Sequence, residues 1–331
     1  MNGRDTVFAV DVGRSLRISQ GANSMARIYF SRGCKGMIAK RIQTDLQRQN
    51  FVVGNPSKFA DGDFGGNTFS GLQKLQTARG LPPSGAVELA TWQQLTPDPL
   101  PSLFERCLQV TAAFEGHGFG LAKGNFDGAG ITWGVIGFTL SNRQIQAILA
   151  TAEEQAPGTL TRILGPLAAP WLAITAKPLN QQIAWANAMS SGATKEGLPG
   201  EWLLAFARLG DEPIIKRIQM QRAYDRYFVP CAASARALKL QSELGVMLAF
   251  DVHVQNGSFN PAAFALAAAL PASTPEAVRR DRLAQAVAQS ARPQYQADVL
   301  SRKRAIASGQ GAVHGAPYLL ASWGLGEELA G

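Results

Sequence analysis

Two carboxyl side chains, Glu115 and Asp127, flank a glycine-rich turn. The flanking segments read Phe114-Glu115-Gly116 and Asn125-Phe126-Asp127-Gly128-Ala129-Gly130-Ile131-Thr132-Trp133-Gly134. Cleavage of a glycosidic bond uses such a pair in unlike surroundings. One group holds its proton and gives it to the leaving oxygen; the other stays ionised and acts on water or on the sugar. Glu115 closes an apolar run at helical spacing (Leu103, Phe104, Cys107, Leu108, Ala112, Phe114), a setting that favours the protonated acid. Asp127 lies among glycines in a polar turn, where water and backbone N–H groups keep a carboxylate charged. Thr132, just across the Gly128-x-Gly130 turn, can bring a hydroxyl to the same cavity. Each residue also has a plain structural alternative: Asp127 shaping its own turn, and Thr132 bonding to backbone.

The elements that must position these groups begin at Ser102-Leu103-Phe104-Glu105, a capping-box pattern that opens the helix ending at Glu115. Before it, Pro97, Pro99 and Pro101 cannot continue a helix or a central strand, so residues 97–102 read as a semi-rigid linker. Upstream, Ile38, Ile42 and Leu46 recur at helical spacing, and Phe69, Leu72 and Leu75 form a second amphipathic run. Residues 31–96 thus form one compact unit. Residues 1–30 hold two weakly strand-like stretches, Val7 to Val12 and Leu16 to Ile18, with no role assigned.

Downstream of residue 102 the pattern is mostly helical, at Ile145 to Ala152, Leu179 to Ala188, Glu201 to Leu209, Ile214 to Phe228, Ser234 to Val254, Ala262 to Leu270 and Pro275 to Ser290. The alanine-rich stretch from Ala262 to Leu270 reads as a buried helix. The expected fold class is mainly α, with a small three-helix unit and a larger α-rich domain (residues 103–331) that carries a short β or turn element.

Composition narrows the function. A formal charge of +8 in 331 residues favours polyanions: nucleic acid, anionic membrane or an anionic bacterial wall. No helix-turn-helix, zinc-finger or aromatic-basic RNA motif is present, so nucleic acid is not the expected partner. No apolar run reaches the ~20 residues that span a bilayer. The three cysteines, Cys34, Cys107 and Cys231, are widely spaced without a C-x-x-C pattern, and with only three histidines no metal site or other cofactor is expected. Cys107 and Cys231 read as small core residues. The start, Met1-Asn2-Gly3-Arg4-Asp5, lacks an apolar signal segment, so synthesis in the cytoplasm is expected.

Two resemblances follow from particular residues. Asp61-Gly62-Asp63-Phe64-Gly65-Gly66-Asn67-Thr68, then Leu75-Gln76, Gly80-Leu81, Gly85-Ala86-Val87 and Thr91-Trp92-Gln93-Gln94-Leu95, resemble the three-helix peptidoglycan-binding domain of wall hydrolases. Leu75 stands where that family normally has Phe. On this resemblance Asp61, Phe64, Thr68, Gln76 and Trp92 mark the wall-binding domain. Physically, Gly62 and Gly65 serve turns, Thr68 a helix cap and Trp92 the core, whatever is bound.

The second set is Phe114-Glu115-Gly116 and Asp127-Gly128-x-Gly130-Ile131-Thr132-x-Gly134-Val135-Ile136-Gly137-Phe138. Echoes follow at Trp202 to Phe206, Leu209-Gly210, Ile218-Gln219, Leu244-Gly245 and Phe250 to Gly257. It resembles the family 46 chitosanases of the lysozyme-like superfamily. The resemblance implies Glu115 as general acid, Asp127 as general base and Thr132 as the hydroxyl that positions water. In the inverting mechanism it implies, the carboxyls stand ~6.5–9.5 Å apart. His117, Gly128, Gln219, Asp251, Asn256 and Arg302 are the further candidates for binding substrate. Asp251 and His253 either line the cleft or make core hydrogen bonds, and Asn256 with Gly257 also reads as a helix cap. Arg302 and Arg304 either meet wall carboxylates or form a solvated basic face, the latter slightly favoured.

This chain departs from the chitosanase pattern. It has no Asp or Glu between Asp127 and Glu153 to hold cationic glucosamine, and its acid-to-base stretch is shorter. A neutral N-acetylated glycan fits better, and beside a wall-binding domain that glycan is peptidoglycan. The expectation is a monomeric endolysin-type muramidase, reaching the periplasmic wall after holin-type release or injection. The alternatives are a lytic transglycosylase, a chitosanase-like glycosidase and a non-catalytic wall-binding virion component.

Overall fold

A computed structural model describes residues 27–330 apart from His117. The strand-like stretches within residues 1–26, and His117 as a sugar contact, therefore lie outside the described residues.

The N-terminal module comprises β1 (Ile28–Phe30), α1 (Met37–Arg48), α2 (Gly66–Ala78), β2 (Val87–Glu88) and α3 (Leu89–Leu95). Spacing of four residues puts Ile38, Ile42 and Leu46 on one face of α1, where all are buried with Phe30, Phe64, Leu72, Leu75, Val87 and Trp92. β1 pairs antiparallel with β2, Phe30 opposite Val87, so the module reaches back beyond residue 31. The helix cap expected at Thr68 falls instead at Gly65. Thr68 is buried and accepts a hydrogen bond from Gln43 Nε2 at 3.0 Å.

The proline-bearing segment is folded back on the module. Trp92 Nε1 donates to the Asp98 carbonyl at 2.8 Å, and Arg41 reaches both Thr96 Oγ1, at 3.2 Å, and the Asp98 carboxylate. Ser102 then opens α4 (Leu103–Glu115) with both halves of the capping box in place.

Helix α4 is the axis of the larger part, with Phe104, Cys107, Leu108, Val110, Thr111 and Phe114 buried along it. A three-stranded antiparallel sheet follows: β3 (Ala122–Lys123), β4 (Thr132–Trp133) and β5 (Phe138–Thr139), with Thr132 opposite Lys123 and Thr139. Next come α5 (Gln144–Gln155), α6 (Thr159–Leu164), α7 (Ala168–Thr175), α8 (Leu179–Met189), α9 (Gly200–Asp211) and α10 (Pro213–Ala223). A wider π turn at Tyr224–Phe228 leads into α11 (Val229–Ala237). The single helix expected over Ser234 to Val254 is broken. Ser242 accepts the Gly245 N–H at 3.0 Å and starts α12 (Glu243–Asn256) afresh.

Residues Glu243 to His253 of α12 are all buried. Each large apolar side chain there contributes roughly 1.5–3 kcal/mol. The stretch expected as a buried helix, Ala262 to Leu270, forms α13 (Pro261–Ala269) at the surface, with Ala263 and Ala267 as its buried residues. The chain ends with α14 (Glu276–Gln289), α15 (Gln296–Ser308), the hairpin β6 (Gln310–Val313)–β7 (Ala316–Leu319) and a short 3-10 turn at Leu320–Trp323. The structure is α-rich, as the sequence periodicity implies. All three cysteines are buried. Among the described residues no helix is long and apolar enough to cross a membrane, and no cluster of His, Cys, Asp and Glu could hold a metal ion.

Module and helical part share one continuous core. Polar contacts fasten the seam: Ser31 N donates to the Ser322 carbonyl, Trp323 Nε1 to the Lys35 carbonyl, both at 3.2 Å, and Met37 N to Gln109 Oε1 at 2.6 Å. Glu243 binds Arg27, just before β1, at 2.5 Å, and Arg106 from α4, at 2.8 Å. Both guanidiniums also donate to the Gly324 carbonyl.

Candidate active site

Glu115 is the last residue of α4, and Gly116 caps the helix in the left-handed region at φ 62°. A helix C-terminus disfavours an anion, and a cation offsets that here. Arg302 Nη1, on α15, lies 2.6 Å from Glu115 Oε1. The Glu115 side chain is 29% exposed and that of Arg302 only 1%. The carboxyl therefore sits at the surface with its partner inside, and the apolar setting expected for it is confined to the helix behind.

Arg302 is fixed from its other side by Asp251 of α12, through Nη2 at 2.7 Å and Nε at 3.0 Å. Asp251 also accepts from Thr111 Oγ1 at 3.1 Å and from Lys303 Nζ at 2.5 Å, and Lys303 reaches Gln255 Oε1 at 2.7 Å. Burial opposes the Asp251 carboxylate, but the charges of Arg302 and Lys303 outweigh it and hold its pKa well below the usual range. Burial pushes the Lys303 ammonium down to about 8, against the pull of Asp251. The guanidinium of Arg302 also lies over the Phe114 ring, 5.2 Å from its centroid.

The hairpin closes the same helix end. The last carbonyls of an α-helix lack intrahelical donors, and two of them find partners here. Tyr318 Oη donates to the Ala113 carbonyl at 3.0 Å, and His314 Nδ1 lies 3.1 Å from the Phe114 carbonyl. Three elements distant in sequence thus set the direction of one carboxyl.

Asp127 stands exposed on the loop between β3 and β4. One of its oxygens accepts the Ala129 N–H at 2.9 Å, the turn-shaping role open to it from sequence. Its other oxygen has no bond within the loop. Asn125 holds the loop, accepting from Gly130 N at 2.7 Å and donating its own N–H to Ser190 Oγ at 2.9 Å. Gly128 and Gly130 adopt φ of 85° and 82°, and a Cβ at Gly130 would press on Leu140 at 3.0 Å. Thr132 is buried on β4, and its hydroxyl has no hydrogen-bond partner among the described residues. A buried hydroxyl left unpaired costs ~1–3 kcal/mol.

The structure revises several of the expected sugar contacts. Asp251 and Gln219 are fully buried. Gln219 Nε2 donates to the Phe119 carbonyl at 3.0 Å while its Oε1 accepts Val135 N at 3.0 Å, so it braces the loops on either side of the sheet. His253 is buried with Ser234 Oγ at 2.9 Å from its Nε2. Arg302 is no solvated face; Arg304 is exposed and paired with Asp281. Gly128 and Asn256 remain exposed, and Gly257, at φ 82°, terminates α12. In the module, Phe64, Thr68, Gln76 and Trp92 are buried fold determinants. Gln76 alone binds Gly85 N, the Ala86 carbonyl and Thr91 Oγ1. Asp61 is the one of the set at the surface.

Sequence reasoning missed Arg302 as the partner of Glu115. The signal was Asp251: a carboxylate closing the apolar run Leu244 to Phe250 requires a buried cation, and Arg302-Lys303 supplies two.

Comparison with known proteins gives two findings. Residues 38–95 match the family model described as a putative peptidoglycan binding domain. Among solved structures, similarity is found to the GH46 chitosanase of Gynuella sunshinyii in complex with chitotetraose, at TM-score 0.46 and 17% identity, covering 67% of this chain and 99% of that one. A chitosanase co-crystallised with substrate gives TM-score 0.46 and 21% identity, covering 64% of this chain and 94% of the other. A Bacillus subtilis MY002 mutant chitosanase complexed with six GlcN gives 0.45 and 13%, covering 64% and 88%. No curated protein matches the chain in sequence.

Proposed function

We propose that the protein is a glycoside hydrolase of bacterial peptidoglycan, an endolysin-type muramidase that cuts the β-1,4 bond between N-acetylmuramic acid and N-acetylglucosamine. The observation that carries this reading is a single carboxyl, Glu115, presented at the surface by a buried Arg302–Asp251–Lys303 knot, in a chain whose residues 38–95 match a peptidoglycan-binding family. Structural effort of that kind around one exposed carboxyl fits chemistry better than stability, since a buried ion pair by itself stabilises little.

In this reading Glu115 protonates the leaving oxygen, and Arg302 fixes the direction in which the carboxyl points. Asp127 takes the proton of the attacking water with the oxygen its turn leaves free. The unpaired hydroxyl of Thr132 offers that water a partner. The water adds to the anomeric carbon, the glycosidic C–O bond breaks, and the proton from Glu115 completes the new hydroxyl. Lys123 beside the loop, Lys35 and Lys40 across the seam, and the net charge of +8 disfavour a polycationic chitosan and favour an anionic wall.

The test is product analysis on purified peptidoglycan with wild type and Glu115→Gln. Reducing muramic acid ends from wild type are expected, with a loss of about 10²–10⁴-fold in the variant while wall binding is kept. Anhydro-muramic ends would instead assign a lytic transglycosylase. Unchanged lysis by Glu115→Gln would leave a wall-binding protein without this chemistry.

A further inference from the structure

The seam between the N-terminal module and α4 is not closed along its whole length. A cleft of about 350 Å³ opens there, within the size range of small-ligand sites. One wall is the module, with Lys35, Gly36, Lys40 and Gly62; the other is the end of α4, with Ala112 and Gly116. The cleft thus reaches the residue that follows Glu115.

Its lining has two properties that fit a sugar chain. The first is shape. Within the module wall Gly36 N donates to the Gly62 carbonyl at 2.8 Å, and the Gln109 side chain of α4 comes so close that a Cβ at Gly36 would lie 2.6 Å from its Oε1, so glycine backbone and one side-chain amide form the floor. A Cβ at Gly116 would meet nothing within 4 Å, so the space beside the acid is open. The second is charge. Lys40 is exposed and makes no ion pair among the described residues. Lys35 is 57% exposed and pairs only loosely with Asp63, at 3.4 Å, a contact of a kind that contributes little. The acidic residue in the lining, Asp61, already accepts from Gln43 Nε2 and Asp63 N, both at 2.8 Å. Two exposed lysines therefore line the cleft, Lys35 loosely paired and Lys40 unpaired among the described residues, against one carboxylate committed to its own turn.

We propose that this cleft is a subsite for a carboxylate-bearing muramoyl residue of the glycan strand, with Lys35 and Lys40 as its specificity-determining residues. The inference rests on the muramidase reading for the identity of the strand. It adds that the module does more than anchor the protein: its lysines and α4 together form one surface that runs up to the acid. The carboxylate is either the free lactyl acid of a peptide-stripped strand or one carried by the stem peptide of an intact strand. Both offer an ammonium the same partner.

The experiment measures binding in the Glu115→Gln background, with and without Lys35→Ala/Lys40→Ala, to intact peptidoglycan, to amidase-stripped glycan strands and to neutral chitohexaose. Both lysines are exposed, so the fold is retained; circular dichroism checks this. Weakening of about tenfold for the muramoyl ligands, with chitohexaose unaffected, is the expected result. A loss on stripped strands assigns the lactyl carboxylate, and a loss confined to intact wall assigns the stem peptide. Equal affinities with and without the lysines, or an equal loss on chitohexaose, overturns the proposal. Failure of the muramidase reading itself shows separately, as absence of new reducing ends when wild type meets the wall.

Discussion

At the scale of single residues, the candidate site separates into groups that face solvent and groups that hold them there. Glu115 and Asp127 face out; Arg302, Asp251, Lys303, Thr111 and Gln219 are inside. Thr132 is the exception, a buried hydroxyl with nothing to bond. That combination makes an unusual variant informative. Thr132→Val removes a buried polar atom that has no partner, so thermal stability should hold or rise slightly, while a water-positioning role predicts a fall in kcat of about tenfold or more. A parallel loss of Tm and kcat in calorimetry and kinetics would show that the hydroxyl is a structural partner only. Glu115, Asp127 and Thr132 could be picked out in the sequence as candidates, because they are close along the chain and punctuated by glycine. The role of the inward set was not legible. Arg302 lies 187 positions from Glu115, and a Ser-Arg-Lys-Arg run looks the same whether solvated or clasped around a buried carboxylate.

At the scale of elements, helix α4 was legible to the residue, since a capping box and an apolar stripe mark its start and its buried face. The hairpin β6–β7 was not foreseen. Its short strands are largely exposed and carry no strong alternation, yet it supplies donors to the end of α4. The loop after Glu115 depends on a contact of another kind. A Cβ at Gly210 on α9 would lie 2.2 Å from the Gly120 Cα, and one at Gly120 would lie 2.8 Å from the Ala207 Cα. Backbone rests on backbone there, and no side chain can yield. Gly210→Ala is therefore expected to cost about 1–3 kcal/mol by overpacking. Urea unfolding measures that loss, and a parallel drop in activity would reflect the displaced loop. An unchanged midpoint would show that the two segments separate freely.

At the scale of the whole molecule, carboxylates tie the parts together. For Glu243, burial opposes the charge, and Arg106 and Arg27 overcome it; for Glu276, burial is likewise outweighed by bonds from Ser242 and Gln241. With Asp251, all three have folded pKa values below their ordinary 4.5 or 3.8. As pH falls below about 4.5 the unfolded chain therefore takes up protons that the folded chain refuses, and stability declines. Above that range the contribution is fully present. Melting at pH 6 and at pH 3 should show a markedly lower Tm at the acid end; equal values would mean that these pairs do not couple to folding.

The fastening of the module carries one more consequence. Arg27, Gln109, Trp323 and the folded-back proline segment leave the N-terminal module no tether on which to swing. Two sites on a flexible leash cut wherever the leash allows, and their cooperation is a matter of effective concentration. Two sites bolted together act as a gauge. On the proposed function, the place where a strand is gripped and the place where it is cut stand a constant interval apart, set by the fold and not by chance encounter.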